Sequence, residues 1–331
     1  MIISRTPYRI SLFGGGSDFP DYYGEHGGRV LSFAINKYCY ISIRKLPPFF
    51  SHHDRVIYSK VENTIHYSEI QHPAVRAVLE YLHPESGVSI THDGDIPARS
   101  GIGSSSAFTV GLLNALLTLQ HCHAEKRKLA ETAIHIEQNL IGETVGCQDQ
   151  ICSAYGGFNT IEFYRDEPFR VIPLDLPEQR QKEFLSHLAL FFTGISRISS
   201  DVAVEQKKNI PRNTGMLAGL ADMAKTAEKL LRSSDDITEI GRLLHNAWQI
   251  KKQLSSKVTT NQLDQIYETA INNGASGGKL LGAGSGGFML FFVPPKKREQ
   301  LKSALSDYLY VPFEIDMNGS RIIFNDYGDM E

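Results

Sequence analysis

"IPARSGIGSSSAF", residues 96–108, sets two glycines and three consecutive serines between a proline and a long apolar run. The run, residues 105–120, includes Leu112, Leu113, Leu116, Leu117 and Leu119, a pattern that suits a helix buried on most sides. Pro97 ends the preceding strand. Gly101 and Gly103 permit backbone angles that other residues resist. Ser104, Ser105 and Ser106 then open the helix. A single serine is enough to cap a helix start. Three after a glycine pair suggest more, because free amides, the helix dipole and clustered hydroxyls together make a cradle for phosphate and a metal ion. The apolar helix is then the rigid post behind the cradle.

Two further glycine-rich stretches flank this one. "PYRISLFGGGSDFPDYY", residues 7–23, holds Gly14-Gly15-Gly16 between Arg9 and Asp18. Alone it reads as a tight turn with solvated charges. "GGKLLGAGSGGFML", residues 277–290, contains G-x-G-x-x-G at Gly282, Gly284 and Gly287. A dinucleotide fingerprint needs a strand before it and a helix after it. Here a helix precedes and a strand follows, so that reading is rejected and a strained turn remains. No G-x-x-x-x-G-K-[ST] phosphate loop occurs.

The wider composition narrows the function class. The 331 residues carry a net charge of −3, with 41% hydrophobic and 21% charged, as in soluble globular chains. No basic stripe points to nucleic acid. No run of 18 apolar residues suggests a membrane span, and the N-terminus lacks the basic and apolar regions of a signal peptide. Cys39, Cys122, Cys147 and Cys152 form no C-x-x-C pair, which favours a reducing cytoplasm. His121-Cys122-His123 has no second ligand pair at metal spacing, so a zinc site is not expected.

Strands are expected at 29–46, 55–67, 87–93, 155–163, 188–193, 286–294 and 320–325. Helices are expected at 72–83, 105–120, 125–141, 215–232, 236–254, 260–273 and 296–308. This order lacks a steady βαβ rhythm and favours α+β over a doubly wound sheet. The charged, proline-containing stretch from Asp166 to Lys182 suggests a boundary between domains 1–183 and 184–331.

In this order and spacing the three glycine stretches resemble the motifs of the GHMP small-molecule kinases, over nearly the whole chain. The family's P-x-x-x-G-L-G-S-S-A motif is similar to Pro97–Ala107. The resemblance implies a two-domain α+β fold, the first domain like ribosomal S5 domain 2, with ATP between the domains. It implies that Pro97, Gly101, Gly103, Ser104, Ser105 and Ser106 wrap the ATP phosphates. It further implies that Ser105 and Glu137 ("HIEQNLIG") hold Mg2+, and that Asp149 ("GCQDQICSAYGG") is the catalytic base with Arg9 beside it. Gly15, Gly16, Asp18, Gly284 and Ser285 would bound the acceptor. Homoserine kinases lack the aspartate, which directs the reading to sugar or mevalonate kinases.

"VGCQDQ", "SAYGG" and "GASGGKLLGAGSGGFML" most resemble the branch that phosphorylates the anomeric hydroxyl of D-glycero-D-manno-heptose 7-phosphate, on the way to nucleotide-activated heptose for surface polysaccharide. A sugar phosphate needs cationic donors, for which Ser196, Arg197, Lys251 and Lys252 are the candidates. A fucose- or galactose-type kinase and a non-catalytic binding protein of the same fold are the alternatives. A monomer or homodimer is expected.

Overall fold

The computed structural model describes residues 1–195 and 200–327. β1 (Ile2–Phe13) turns through the first glycine stretch into α1 (Pro20–His26) and returns as β2 (Gly28–Lys45). β3 (Asp54–Ile57), β4 (Val61–Thr64), α2 (Pro73–Leu82) and β5 (Val88–Gly94) lead to α3 (Ser104–Leu119). α4 (Lys126–His135) runs on as a π-helical turn, Ile136–Ile141, ahead of α5 (Gln148–Tyr155), β6 (Phe158–Phe163), β7 (Arg170–Pro173) and α6 (Glu178–Ser186). The rest comprises β8 (Leu188–Phe192), α7 (Ser200–Arg232), α8 (Glu239–Gln253), α9 (Asn261–Asn272), β9 (Gly277–Leu280), β10 (Phe288–Phe292), α10 (Arg298–Ala304), β11 (Leu309–Tyr310) and β12 (Arg321–Asn325).

The strands form two sheets. The larger runs β12-β1-β2-β5-β3-β4, and β6 joins β2 on one side and β7 on the other. β2 is 18 residues long, so its first half can pair with β6 and its second half with β5. Val30 to Ile35 are buried on both faces, whereas from Cys39 to Ile43 burial alternates, as expected where only one face is covered. The smaller sheet runs β11-β8-β10-β9, all antiparallel. Strands and helices are mixed without a βαβ rhythm, and the expected α+β class holds.

α3 lies across β1 and β2 with both ends of its apolar run buried. Each fully buried leucine contributes about 1.5–3 kcal/mol relative to exposure. At its middle the helix comes very close to β1: Ser4 Oγ donates to the Gly111 carbonyl at 2.8 Å, and a Cβ on Gly111 would stand 2.8 Å from Thr6 Oγ1. The post behind the phosphate cradle is therefore fixed to the central strand.

Three expectations change. The division at 183/184 falls inside α6, and β12 returns to pair with β1, so the larger sheet draws on both ends of the chain. α7 begins at Ser200 rather than 215 and continues through Pro211. An interior proline costs about 3 kcal/mol, and burial of Ile210, Leu217 and Leu220 offsets it. Helices α1, α5 and α6 were not evident because they are short and weakly periodic.

Candidate active site

β1 and α5 bring Arg9 and Asp149 together, 140 positions apart. Arg9 Nε donates to Asp149 Oδ1 and Nη2 to Oδ2, both at 2.7 Å, while Nη1 reaches the Gly101 carbonyl at 2.8 Å. This is a fork-on-fork pair, stronger and more directional than a point contact. Burial works against the Arg9 charge, but Asp149 more than offsets it and the guanidinium pKa is raised. Only 4% of the Arg9 side chain is exposed, against 25% for Asp149, so the carboxylate is the member open to a ligand. Gly103 sits beside it in the left-handed region (φ 74°), with room for a Cβ only 3.2 Å from Arg9 Cγ and 3.4 Å from Asp149 Oδ2.

Gly103 also starts α3, and among the described residues no side chain caps the first turn, which leaves its leading amides free. Ser104 Oγ accepts from the Arg99 amide at 3.1 Å and closes the loop. Ser105 is exposed. Ser106 is buried and donates to Glu137 Oε2 at 2.8 Å. The hydroxyl beside Glu137 is therefore Ser106, not the Ser105 expected from the motif. Gln150 donates to the same oxygen from α5. Glu137 lies in the π-helical turn, a distortion common at functional sites. It is fully buried, and burial lifts its pKa to about 7 against the nearby Thr109 and Ser106 hydroxyls. Thr109 spends its well-formed hydrogen bond on the Ser105 carbonyl, so Oε1 has no well-formed hydrogen bond among the described residues. Among the described residues no three His, Cys, Asp or Glu side chains cluster tightly enough to hold a metal by themselves.

Asp18, expected to grip acceptor hydroxyls, is buried instead. Its carboxylate accepts from the Gly16 amide at 2.9 Å, the Gln148 amide at 3.2 Å and Gln148 Nε2 at 3.1 Å. Gly146 crosses so close that a Cβ there would stand 2.0 Å from Asp18 Oδ2. Burial, opposed by the Gly16 amide, leaves its pKa raised. Asp18 thus clamps the first glycine turn to the start of α5 and sets the height of Asp149.

The third stretch closes against the second. A Cβ on Gly282 would lie 2.6 Å from Gly101 Cα, backbone against backbone. Lys251 Nζ donates to the carbonyls of Leu280 and Gly282, and Lys252 pairs with Asp264 at 3.6 Å. Lys251 is thus engaged by its own backbone, while Lys252 stays partly exposed beside Asp264. Lys279 Nζ donates to the Leu12 carbonyl at 2.9 Å and ties β9 to β1; burial, then Arg9, lowers its pKa to about 7. Gly284 and Ser285 turn toward the segment at Lys257–Val258 in place of the acceptor contact expected of them: Ser285 Oγ donates to the Lys257 carbonyl at 2.6 Å. Pro97 is exposed and borders a cavity of about 550 Å³ shared with Lys37, Phe192 and Tyr310. Ser196 and Arg197 lie outside the described residues. The motif reading had placed Ser106 on the ATP phosphates rather than beside Glu137, and had missed Gln148, Gln150 and Gly146. The signal available was the pair of glutamines around Asp149, an amide-rich run at the start of a helix that is otherwise buried.

The family profile for the GHMP kinases N terminal domain matches residues 69–157, and that for GHMP kinases C terminal matches 226–311. A Campylobacter jejuni protein named D-glycero-alpha-D-manno-heptose 7-phosphate kinase is 32% identical over 92% of this chain and 93% of its own. The Arabidopsis thaliana bifunctional fucokinase/GDP-fucose pyrophosphorylase is 25% identical over 92% of this chain and 31% of its own. The crystal structure of a D-glycero-D-manno-heptose 1-phosphate kinase from Bacteroides thetaiotaomicron superposes with a TM-score of 0.80 at 24% identity, covering 98% of this chain and 99% of that one.

Proposed function

Since the chain belongs to the GHMP kinase family and is an ATP-dependent sugar kinase, we propose that it phosphorylates the anomeric hydroxyl of D-glycero-D-manno-heptose 7-phosphate. The product would be the 1,7-bisphosphate, a precursor for nucleotide-activated heptose and surface polysaccharide. The observation that carries the catalytic part is the forked Arg9–Asp149 pair beside the uncapped start of α3. The likeness to the Campylobacter jejuni kinase over nearly the full length supports the choice of sugar.

Phosphoryl transfer is mainly a matter of positioning and charge stabilisation. The amides at the start of α3 are suited to the ATP phosphates, with Ser104 holding the loop and Ser105 free to meet a phosphate oxygen. Asp149 takes the proton from the acceptor hydroxyl, an effect worth on the order of 10²–10⁴ in rate. Arg9 fixes both carboxylate oxygens and keeps positive charge next to the transferred group. Magnesium fits at Glu137: Oε1 is buried with no well-formed hydrogen bond among the described residues, the Ser106 hydroxyl is adjacent, and this ion characteristically takes one or two carboxylates plus substrate phosphates. When bound it supplies neutralisation of the phosphate charge.

For the distal phosphate, Lys207 on α7, 3.2 Å from Asp21 of α1, is a half-exposed cation near the first glycine turn. The test compares kcat/KM on heptose 7-phosphate, the free heptose, L-fucose and D-galactose. A site built for the sugar phosphate should lose most of its efficiency on the free sugar. A preference for fucose or galactose refutes the heptose assignment and leaves the sugar kinase standing.

A further inference from the structure

Asp18 is only 1% exposed and both its oxygens already accept from the protein, yet two polar atoms next to it have no partner among the described residues. Ser11 is 6% exposed and its Oγ has no partner among the described residues. Gln148 is 9% exposed; because its Nε2 donates to the Asp18 carboxylate, which can only accept, Oε1 must face the other way, and it too is unpaired. A buried polar atom without a partner costs about 1–3 kcal/mol, so two on side chains that flank one glycine favour a ligand that reaches both.

Both side chains border Gly15. This glycine has no left-handed φ to explain it, and an added Cβ would make only ordinary contacts, at 3.5 Å from Ser11 Oγ and 3.6 Å from Gln148 Nε2. Gly14, by contrast, would drive a Cβ to 1.9 Å from the Arg29 carbonyl oxygen, and Gly16 one to 2.9 Å from Leu217. At Gly15 alone, then, the missing side chain leaves space, and the position is half-exposed, so the space opens outward. Ser11 stands two residues beyond Arg9 in a regular part of β1 and shares its face, while Gln148 precedes Asp149 on α5. The gap therefore runs alongside the catalytic pair.

We propose that Ser11, Gln148 and the space over Gly15 form the seat of a second sugar hydroxyl, one that is not phosphorylated, with Asp18 as a positioning residue behind it. A hydroxyl matches the seat because it donates to Gln148 Oε1 and accepts from Ser11 Oγ–H at once. A carboxylate meets Oε1 unfavourably, and a deoxy carbon leaves both atoms unpaired. The proposal rests on the sugar kinase reading and names the acceptor feature which that site measures.

The test uses Ser11→Ala and Gly15→Ala in the full chain, on whichever of heptose 7-phosphate, fucose and galactose the wild type phosphorylates fastest, together with its monodeoxy analogues. Both variants should raise the acceptor KM about tenfold or more, leave the KM for ATP within about twofold, and leave Tm unchanged or raised. A merely structural role for Ser11 would lower Tm instead. One deoxy analogue should lose a comparable factor on the wild type and nothing further on Ser11→Ala, the non-additivity of partners in one contact. Unchanged acceptor KM in both variants, or full sensitivity of every deoxy analogue to Ser11→Ala, overturns the seat. A wild type that prefers galactose overturns the heptose assignment alone, and the seat is then judged on galactose.

Discussion

The first and third glycine stretches look alike as text and do opposite things. Around Gly14–Asp18 the chain folds over charge and leaves polar atoms, Ser11 Oγ and Gln148 Oε1, unpaired among the described residues. Around Gly282–Gly287 hydrogen bonds hold the turn: Lys251 holds two carbonyls, Ser285 holds the Lys257 carbonyl, and Gly282 presses on Gly101. At Gly15 glycine serves space, and at Gly282 it serves contact. Substitution at Gly15 should cost turnover more than stability, and at Gly282 the reverse.

The largest effect belongs to the pair between the two regions. Asp149→Asn should lower kcat at least about a hundredfold with ATP binding nearly intact, as removal of a general base does. Near wild-type turnover in steady-state kinetics would take Asp149 out of the reaction. Next, Gly282→Ala forces a Cβ into the Gly101 backbone from a left-handed position (φ 71°), at a cost of about 1–3 kcal/mol, read as a fall in the chemical denaturation midpoint. An unchanged midpoint would mean that the third region is looser than its contacts indicate.

Magnesium dependence separates neighbouring serines. Ser106→Ala and Glu137→Gln should raise the magnesium needed for half-maximal rate severalfold and recover activity at high magnesium, with Ser105→Ala shifting it less. The reverse order would return the role to Ser105. The smallest effect is electrostatic. Lys279 has its pKa lowered by burial from 10.5 to about 7, so between those values the unfolded chain binds the extra proton and stability rises with pH. From pH 7 to 8.5, before the cysteines of the unfolded chain ionise, this rise is worth at most about 1.4 kcal/mol per pH unit. Lys279→Met should flatten it, and equal slopes in denaturation measured across that range would show that the amine titrates normally.

Much of this was legible in residue order. The buried α3, the three glycine turns and the α+β class follow from local pattern, because glycine runs, helix starts and apolar runs act over a few residues; Arg9, Asp149 and Glu137 were singled out by the family resemblance instead. Which serine faces Glu137 did not follow. α3 is apolar nearly all round, so its periodicity marks no single face, and Ser105 and Ser106 are indistinguishable until the π-helical turn settles beside one of them. The fate of Asp18 depended on Gly146 and Gln148, some 130 positions away. Lys251 looked like a free surface cation until the turn at Gly282 came to rest on it. A sequence states which groups can donate, accept or bend. Whether a given group meets the ligand or its own backbone is decided by chain closure, because that depends on which distant atoms arrive within about 3 Å of it.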